Sequence, residues 1–310
     1  MSKNIKVVFM GTPEFSVPVL DMLIKNTNVL MVVTQPDTYV GRKKVLTKSP
    51  VKLLAEANGI PVFQPEKIRK DYDELKSLDF DLLITCAYGQ ILPKEILDMP
   101  KYGPINVHAS LLPKYRGASP INFAIFNGEE KTGVTLMYMD EGMDTGDIIV
   151  QDSLDVNGDN YGELYKRLSV LGADLLFENL DYLVSGNVER HKQNDEEATY
   201  TTLIKREFEH IDFNDTGVNI VNKIKGLNPE PLANTIINGL ELKIVDAHYE
   251  EANVNEIGKI VEITKNQFKI TCKDGYICLD IVKPFGKGIM VINSYINGLK
   301  KETILNTFVQ

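Results

Sequence analysis

The sequence predicts an α/β fold, with a mostly parallel sheet in a first domain and a small, mainly β barrel in a second. Over the first two thirds of the chain, strand-like and helix-like segments alternate, which is typical of a parallel sheet covered by helices. A polar stretch follows, and beyond it short strand-like runs are separated by Gly, Asn and Asp turns. We therefore expect a first domain over residues 1–188, a linker over 189–206 and the β-barrel over 207–310.

Residue types predict the elements at the beginning of the chain. Residues 5–9 form a β-branched run that is typical of a strand, and residues 15–25 mix apolar and polar side chains as an amphipathic helix does. Residues 29–33 predict a second strand. The next helix has a clear start, because Ser49 suits its N-cap and Pro50 suits its first position.

The middle of the chain predicts further strands and two helices. Residues 81–87 are nearly all apolar and too few for a typical helix, so they predict a fully buried strand. Ser119 and Pro120 repeat the capping signal before a short apolar helix. From residue 160 to 184, apolar residues recur at helical spacing. Further strands are expected over residues 105–108, 133–139 and 147–156.

Composition excludes several classes of protein. The chain has 310 residues, of which 43% are hydrophobic and 25% are charged, so it differs from disordered, collagenous and coiled-coil chains. The sequence predicts neither a membrane-spanning segment nor a secretory signal. We therefore expect a cytoplasmic protein that works without a membrane. We also expect a monomer.

The cysteines indicate neither a disulfide framework nor a metal site. Cys86, Cys272 and Cys278 are odd in number and scattered along the chain, which fits a reducing compartment. Cys272 and Cys278 lie in an alternating stretch, where strand or turn positions fit better than zinc ligands. We expect no metal.

Charge is distributed unevenly along the sequence. The formal net charge of −9 disfavours indiscriminate binding to nucleic acid, because phosphates are attracted by cations. The loop over residues 41–52 nevertheless has no acidic residue and contains five basic ones: Arg42, Lys43, Lys44, Lys48 and Lys52. It fits either an exposed solubilising segment or an arm that contacts RNA phosphates.

The end of the first strand offers only a weak nucleotide signal. Gly11 stands between a strand and a helix, where an α/β fold presents backbone amides to an anion. A dinucleotide fingerprint requires three spaced glycines, and here Gly11 alone precedes Ser16. A tight turn is therefore a better interpretation than a phosphate cradle.

The segment around the strand at 105–108 carries groups suited to acyl transfer. Residues two apart in a strand point to the same side, so Asn106 and His108 can present an amide and an imidazole to one site. The amide can donate to a developing oxyanion, and the imidazole can donate or shuttle a proton. The alternative for His108 is a buried histidine satisfied by backbone carbonyls.

A third group is expected from an acidic loop downstream. Four acidic residues surround two glycines there: Asp140, Glu141, Asp144 and Asp147. Such a loop is often merely solvated. A carboxylate beside His108 would instead hold the imidazole and offer a base for an attacking amine. Asp144, between the glycines, is the residue that we expect there.

Five blocks of the sequence, taken in order and spacing, resemble the methionyl-tRNA formyltransferase family. They are FMGTPEF, TQPDTYVGRKK with SPVKLLA, DLLITCAYGQILP, NVHASLLPKYRGASPIN and MDEGMDTGDI. The block NVHASLLP is shared with folate-dependent formyltransferases in general, whereas the order of all five blocks is more specific. The resemblance extends over essentially the whole chain and is strongest up to about residue 150.

The resemblance implies that a formyl group passes from 10-formyltetrahydrofolate to the α-amino group of methionine on initiator tRNA, in support of translation initiation. It implies a Rossmann-like formyltransferase domain over residues 1–188, an OB-like β-barrel domain after it, and a catalytic trio of Asn106, His108 and Asp144. Folate would be bound by Ser110, Leu111, Leu112 and Pro113, with the pterin near Ala87, Tyr88, Gly89, Gln90, Ile91 and Leu92. The tRNA would be contacted by Arg42, Lys43, Lys44 and Lys48.

Two other functions remain open from the sequence. A sugar-nucleotide formyltransferase would keep the trio but acylate an amino sugar, and it would have no need of the basic loop. A non-catalytic RNA-binding protein could use the same scaffold, because function resides in sites and not in folds. Retention of all three trio residues argues against the second alternative.

Overall fold

The structure is a computed structural model that describes residues 4–41 and 43–310. Over these residues the chain forms two compact units, each assembled from three segments. The first comprises the described residues up to Pro120, Lys131–Asp155 and Tyr165–Thr201, and the second comprises Ile121–Glu130, Val156–Leu164 and Thr202–Gln310. The linear domain limits expected from the sequence stay a prediction.

The strands and helices are numbered in chain order. The strands of the first unit are β1 (Lys6–Gly11), β2 (Asn28–Val33), β3 (Thr38–Val40), β4 (Val45–Thr47), β5 (Val62–Phe63), β6 (Leu82–Cys86), β7 (Pro104–His108), β8 (Arg116–Gly117), β9 (Lys131–Tyr138), β10 (Ile148–Asp155) and β11 (Tyr200–Thr201). Those of the second unit are β12 (Ala233–Ile237), β13 (Leu240–Glu251), β14 (Ile260–Ile263), β15 (Phe268–Cys272), β16 (Gly275–Pro284) and β17 (Met290–Val291). The α-helices are α1 (Val17–Asn26), α2 (Pro50–Ala57), α3 (Asp73–Lys76), α4 (Lys94–Leu97), α5 (Pro120–Phe126), α6 (Tyr161–Leu183), α7 (Gly217–Gly226) and α8 (Ile292–Asn297). In the described ranges, none of these helices combines the length and the apolar character that a membrane crossing requires.

The first unit is built on a seven-stranded sheet with the order β10-β9-β7-β6-β1-β2-β5. The pairs β7/β6, β6/β1, β1/β2 and β2/β5 are parallel, whereas β9 is antiparallel to both β7 and β10. The predicted α/β class with a mostly parallel sheet is therefore confirmed. Its antiparallel edge follows from the direct connection of β9 to β10 through the acidic loop.

The sheet is stable because its central strands are buried on both faces. All five residues of β6 are buried, as are five of the six residues of β1. A strand that is covered on both faces needs apolar side chains on both, so these two sequences are nearly continuous in apolar residues. Helix α2 begins at Pro50, and the hydroxyl of Ser49 accepts a hydrogen bond from the backbone N–H of Lys52 at 3.0 Å. The capping predicted from these two residues is thus present in the structure.

The second unit is mainly β, as the sequence predicts. Its six strands form an antiparallel sheet with the order β12-β13-β16-β15-β14, and β17 pairs with β16. One face of the sheet contributes Ile244, Phe268, Ile270 and Ile277 to a hydrophobic core, in which residues of α7 also lie. Burial of this apolar face stabilises the second unit.

Candidate active site

The candidate site lies where two neighbouring parallel strands of the first unit end. Strand β6 pairs with β7 so that Thr85 is level with Asn106, and β7 ends at His108. Ligands of open α/β sheets bind at the carboxyl ends of such strands. The fold therefore puts Asn106 and His108 at the edge that the sequence analysis predicts for them.

The orientation of the Asn106 amide is fixed by a threonine. The Thr85 hydroxyl, which is buried, donates a hydrogen bond to Asn106 Oδ1 at 2.8 Å. The amide nitrogen is thereby turned away from the strand, and Nδ2 lies 3.4 Å from Asp144 Oδ1. Each Asn amide nitrogen has two hydrogens, so one remains for a second acceptor.

The protonation pattern of His108 follows from its two neighbours. Nε2 lies 3.0 Å from the carbonyl oxygen of Tyr115. A carbonyl only accepts, so Nε2 carries the hydrogen, and Nδ1 has the lone pair when the ring is neutral. Nδ1 faces Asp144 Oδ1 at 3.6 Å, and the ring is buried. One nitrogen is thus satisfied by the backbone, while the other faces a carboxylate and can take up a proton.

Asp144 is held in place by its side chain and by a backbone of unusual conformation. Its φ of 56° lies in the left-handed region, which few residues other than glycine adopt readily. Oδ2 accepts a hydrogen bond from the backbone N–H of Gly117 at 2.8 Å. A Cβ at Gly117 would lie 2.4 Å from the carbonyl oxygen of Thr201, so only glycine fits here. Oδ1 is left to face Asn106 and His108.

A buried glutamine and arginine brace the loop that carries Asp144. The amide nitrogen of Gln193 donates to the carbonyl oxygens of Asp144 and Gly146, at 2.8 Å each. Nε of Arg116 donates to Gln193 Oε1 at 3.0 Å. The guanidinium, 1% exposed, also reaches Asp195 Oδ1 at 2.8 Å. The loop conformation therefore depends on buried polar contacts that are far apart in sequence.

The two segments expected to bind folate leave the same edge of the sheet. Residues 87–92 follow β6 and residues 110–113 follow β7, which are parallel neighbours. Ala87 and Gly89 are exposed and have positive φ, and Ile91 is 50% exposed. Gln90 is instead a structural anchor, because its Oε1 accepts from the backbone N–H of Ile68 at 2.9 Å.

The segment over residues 110–113 is held rigidly from inside the protein. The buried hydroxyl of Ser110 donates to the carbonyl oxygen of Lys114 at 2.7 Å. The hydroxyl of Thr135 accepts from the N–H of Leu112 at 3.2 Å and donates to the carbonyl of Ser110 at 2.7 Å. The side chains of Leu111 and Pro113 are partly exposed. These two side chains therefore offer the accessible surface of the segment.

The basic loop is a two-stranded ribbon formed by β3 and β4. Lys43 and Lys44 lie at its exposed turn, and within the described part of the chain neither forms an ion pair. Lys48 is paired with Glu56 at 2.7 Å, and Lys52 is paired with Asp37 at 2.8 Å. Two of the five positive charges are therefore partly neutralised. Arg42 lies outside the described residues.

Comparison with known proteins identifies the family. A family model described as formyl transferase matches residues 3–180, and one for the formyl transferase C-terminal domain matches residues 203–300. A methionyl-tRNA formyltransferase of Staphylococcus aureus (strain MW2) is 45% identical over 304 residues, which cover 96% of this chain and 98% of that protein. The chain belongs to the methionyl-tRNA formyltransferase family. The recognition made from the five sequence blocks is confirmed, as is the class of enzyme, a transferase that moves formyl groups.

Solved formyltransferase structures share the fold. The sugar 3-N-formyltransferase WlaRD, determined in the presence of dTDP and 5-N-formyl-tetrahydrofolate, has a TM-score of 0.68 at 24% identity, covering 92% of this chain and 99% of its own. An N-formyltransferase from Helicobacter canadensis, in complex with folinic acid and dTDP-3-aminofucose, has a TM-score of 0.67 at 24% identity, covering 91% and 100%. At this identity the likeness concerns the fold alone.

Two residues of this candidate site were missed by sequence reasoning. Thr85 is a polar residue in the otherwise apolar run of β6, and this contrast was an available signal. Gln193 falls within the polar stretch that predicts a linker, where nothing in the residue types distinguishes it from its neighbours. Only the folded structure shows its role, because the chain at Gln193 packs against the loop that contains Asp144.

Proposed function

We propose that this formyltransferase transfers the formyl group of 10-formyltetrahydrofolate to the α-amino group of methionine on initiator tRNA. The observation that carries the proposal is the convergence of three side chains: Asn106 Nδ2 and His108 Nδ1 lie 3.4 and 3.6 Å from Asp144 Oδ1. The choice of acceptor is supported by the relative of 45% identity that is named methionyl-tRNA formyltransferase.

Asn106 would stabilise the oxyanion of the reaction. Attack of the amine on the formyl carbon turns the formyl oxygen into an oxyanion. Thr85 fixes the Asn106 amide, so its free N–H is oriented before the charge develops. Preorganised donors of this kind act in a buried site without the cost of reorienting solvent. Loss of one such donor typically lowers turnover by roughly 100-fold to 1000-fold.

His108 and Asp144 would move the proton. The attacking amine loses one proton when the new C–N bond forms, and N10 of the tetrahydrofolate gains one when the old C–N bond breaks. His108 Nδ1 is the basic atom that can carry this proton, because Nε2 is bound to the Tyr115 carbonyl. The Asp144 carboxylate stabilises the imidazolium in between, and its distance of 3.6 Å suits that role.

The formyl donor would bind along the edge formed by residues 87–92 and 110–113. A planar pterin requires apolar surface together with backbone donors and acceptors. The exposed side chain of Ile91, the partly exposed Leu111 and Pro113, and the exposed turn around Gly89 provide both. Ser110, Leu112, Tyr88 and Leu92 are buried, so we assign them to shaping this edge. The folate compounds in the two solved formyltransferases support a folate donor.

The tRNA would be contacted by the ribbon of β3 and β4. Lys43 and Lys44 present ammonium groups at its turn that form no ion pair with any residue the structure describes, and we assign Arg42 and Lys48 to the same contact. Phosphate contacts release counterions, so binding through them weakens as salt rises. A small nucleotide sugar makes fewer such contacts, and its affinity depends less on salt.

The decisive experiment offers both acceptors to the same enzyme. Purified protein is incubated with 10-formyltetrahydrofolate and either methionine-charged initiator tRNA or a nucleotide-linked amino sugar. We expect formyl-methionine on the tRNA, with a rate that falls steeply with salt. Asn106→Ala and His108→Ala should each lower single-turnover formylation at least about 100-fold. Formylation of the sugar alone, or near-normal rates in both variants, would overturn the proposal.

A further inference from the structure

A cluster of potential metal ligands lies in the second unit, whereas the residues of the proposed active site belong to the first. Strands β13 and β16 are antiparallel, and His248 is directly opposite Cys278. Residues two apart in a strand share a face, so Glu250 joins His248, and Asp280 joins Cys278. The intervening residues Ala247, Ile277 and Leu279 belong to the hydrophobic core on the other face. The four side chains therefore lie together on the face that is turned away from the core.

The ligand atoms of this cluster would have to move only slightly closer together to bind one metal ion. One ligand atom each from His248, Glu250 and Cys278 can be chosen so that all three lie within 4.8 Å of one another. His248 Nε2 and Glu250 Oε1 are 3.7 Å apart. With metal–ligand bonds of roughly 2.0 to 2.3 Å, tetrahedral geometry separates ligand atoms by about 3.3 to 3.8 Å.

Asp280 gives the imidazole the orientation of a metal-binding histidine. Its Oδ2 lies 2.7 Å from His248 Nδ1. A carboxylate accepts the Nδ1 hydrogen, so in the neutral ring Nε2 has the lone pair, and it faces Glu250. Metal-binding histidines commonly donate their second nitrogen to a carboxylate in this way, which fixes the tautomer and the ring orientation.

Lys269 lies beside this cluster, and its contacts leave one oxygen of Glu250 free to act as a ligand atom. Its ammonium lies 2.7 Å from Glu250 Oε2 and 3.5 Å from Glu262 Oε2. Glu250 Oε1 is on the side of His248, so it can bind a metal while Oε2 keeps its hydrogen bond with Lys269. The charges of Glu250, Glu262, Asp280 and Lys269 leave two negative charges in excess, which favours a divalent cation.

We propose that His248, Glu250 and Cys278 bind a zinc ion, with Asp280 as the positioning residue for the imidazole. A nitrogen, a carboxylate oxygen and a thiolate are the donor set that zinc prefers, and water can take the fourth position. Zinc binds the thiolate, so binding releases the proton of Cys278 to solvent. The ion would join β13 to β16 on the side opposite the core and would stabilise the second unit.

The test uses the full-length protein, freed of metal by a chelator and then titrated with Zn²⁺ or Co²⁺ alone. We expect one equivalent of Zn²⁺ to bind and to raise the melting temperature. Co²⁺ at the same site should give a thiolate-to-cobalt absorption band. His248→Gln should weaken Zn²⁺ binding at least about 100-fold, and Asp280→Asn by about 10-fold to 100-fold. Cys278→Ser should abolish the absorption band.

A matched control is available in the first unit. His191 is 56% exposed beside Glu189, as His248 is 57% exposed beside Glu250. His191→Gln should leave Zn²⁺ binding unchanged. The proposal is overturned if Zn²⁺ binds no better to the wild type than to His248→Gln, or if Co²⁺ gives no thiolate band. Formylation by the metal-free protein should stay normal in both histidine variants, so this test is independent of the proposed function.

Discussion

The side-chain amide of Gln193 donates a hydrogen bond to the backbone carbonyl oxygen of Asp144 at 2.8 Å. It thereby stabilises the left-handed backbone conformation of Asp144, a residue of the proposed active site. The two residues are 49 positions apart in sequence. The same nitrogen binds the carbonyl of Gly146, and the Gln193 oxygen is in turn held by Arg116. The position of the Asp144 carboxylate therefore depends on residues outside the loop that contains it.

Replacement of Gln193 by methionine should lower kcat without a comparable change in KM. The variant keeps the volume of the side chain but leaves two carbonyls and the buried Arg116 Nε without their partner. Each buried group left unsatisfied costs about 1–3 kcal/mol, so we expect a roughly 10-fold to 100-fold loss of kcat. Steady-state formylation measures this. Gln267→Met, in the second unit, serves as the control. Equal kcat values for Gln193→Met and Gln267→Met would show that Gln193 does not position the loop that carries Asp144.

Replacement of Thr85 by valine should lower kcat roughly 2-fold to 10-fold. Valine has the same shape but cannot donate to Asn106 Oδ1, so the amide loses the hydrogen bond that orients it. A typical hydrogen bond contributes about 0.5–1.5 kcal/mol, which corresponds to this loss. Thr85→Ser retains the hydroxyl and should be close to the wild type in single-turnover assays. If the serine and valine variants are equally slow, packing of the methyl group and not the hydroxyl is what matters.

Replacement of Asp144 by asparagine removes the charge of the carboxylate and one of its two acceptor oxygens. Asparagine tolerates the positive φ of 56°, so the backbone should be retained. The neutral amide cannot stabilise a protonated His108, and we expect single-turnover formylation to fall roughly 100-fold to 1000-fold. Thermal unfolding should show that the variant is folded. A rate within about threefold of the wild type would limit Asp144 to a structural role.

The lysines of the basic ribbon should differ in their effect on tRNA binding. Lys43 is free of ion pairs within the described residues, whereas Lys48 is held by Glu56 at 2.7 Å. Lys43→Gln should reduce the slope of log K against log salt by about 1, and Lys48→Gln should reduce it by less. Equilibrium binding of initiator tRNA across a salt series provides the measurement. Equal slopes for wild type and Lys43→Gln would place the phosphate contact elsewhere.

Alkaline pH should destabilise the protein through its buried thiols. Burial raises the pKa of Cys86 to about 12, so the thiol stays protonated in the folded state while it ionises in the unfolded chain above pH about 8.5. The stability contributed below the unfolded pKa is therefore lost as pH rises towards 12. Between pH 7 and pH 10, one such thiol lowers the free energy of unfolding by about 2 kcal/mol.

Cys86→Ala provides the comparison for this pH effect. The variant is expected to be less stable at pH 7 because of the cavity, but its loss between pH 7 and pH 10 should be smaller by about 2 kcal/mol. Urea unfolding at the two pH values gives both quantities. Parallel stability curves for wild type and variant would show that Cys86 ionises equally in both states.

Much of this protein was determined locally by its sequence. The capping pair Ser49 and Pro50, the short buried run of β6 and the helical spacing in α6 predict their elements, because local sterics and burial fix them. Asn106 and His108 were predicted to share a site because strand geometry puts residues two apart on one side. The family followed from the order of motifs along the chain.

Only the tertiary structure decided which distant groups meet. The hydroxyl of Thr85, the amide of Gln193 and the opposition of His248 to Cys278 all depend on strand register and chain return, which local patterns do not encode. The cysteine spacing indicated no metal site for this reason: the proposed ligands come from two strands about 30 residues apart. The local sequence determines which secondary structure each segment favours. The packing of the whole chain determines which buried polar groups form hydrogen bonds with one another.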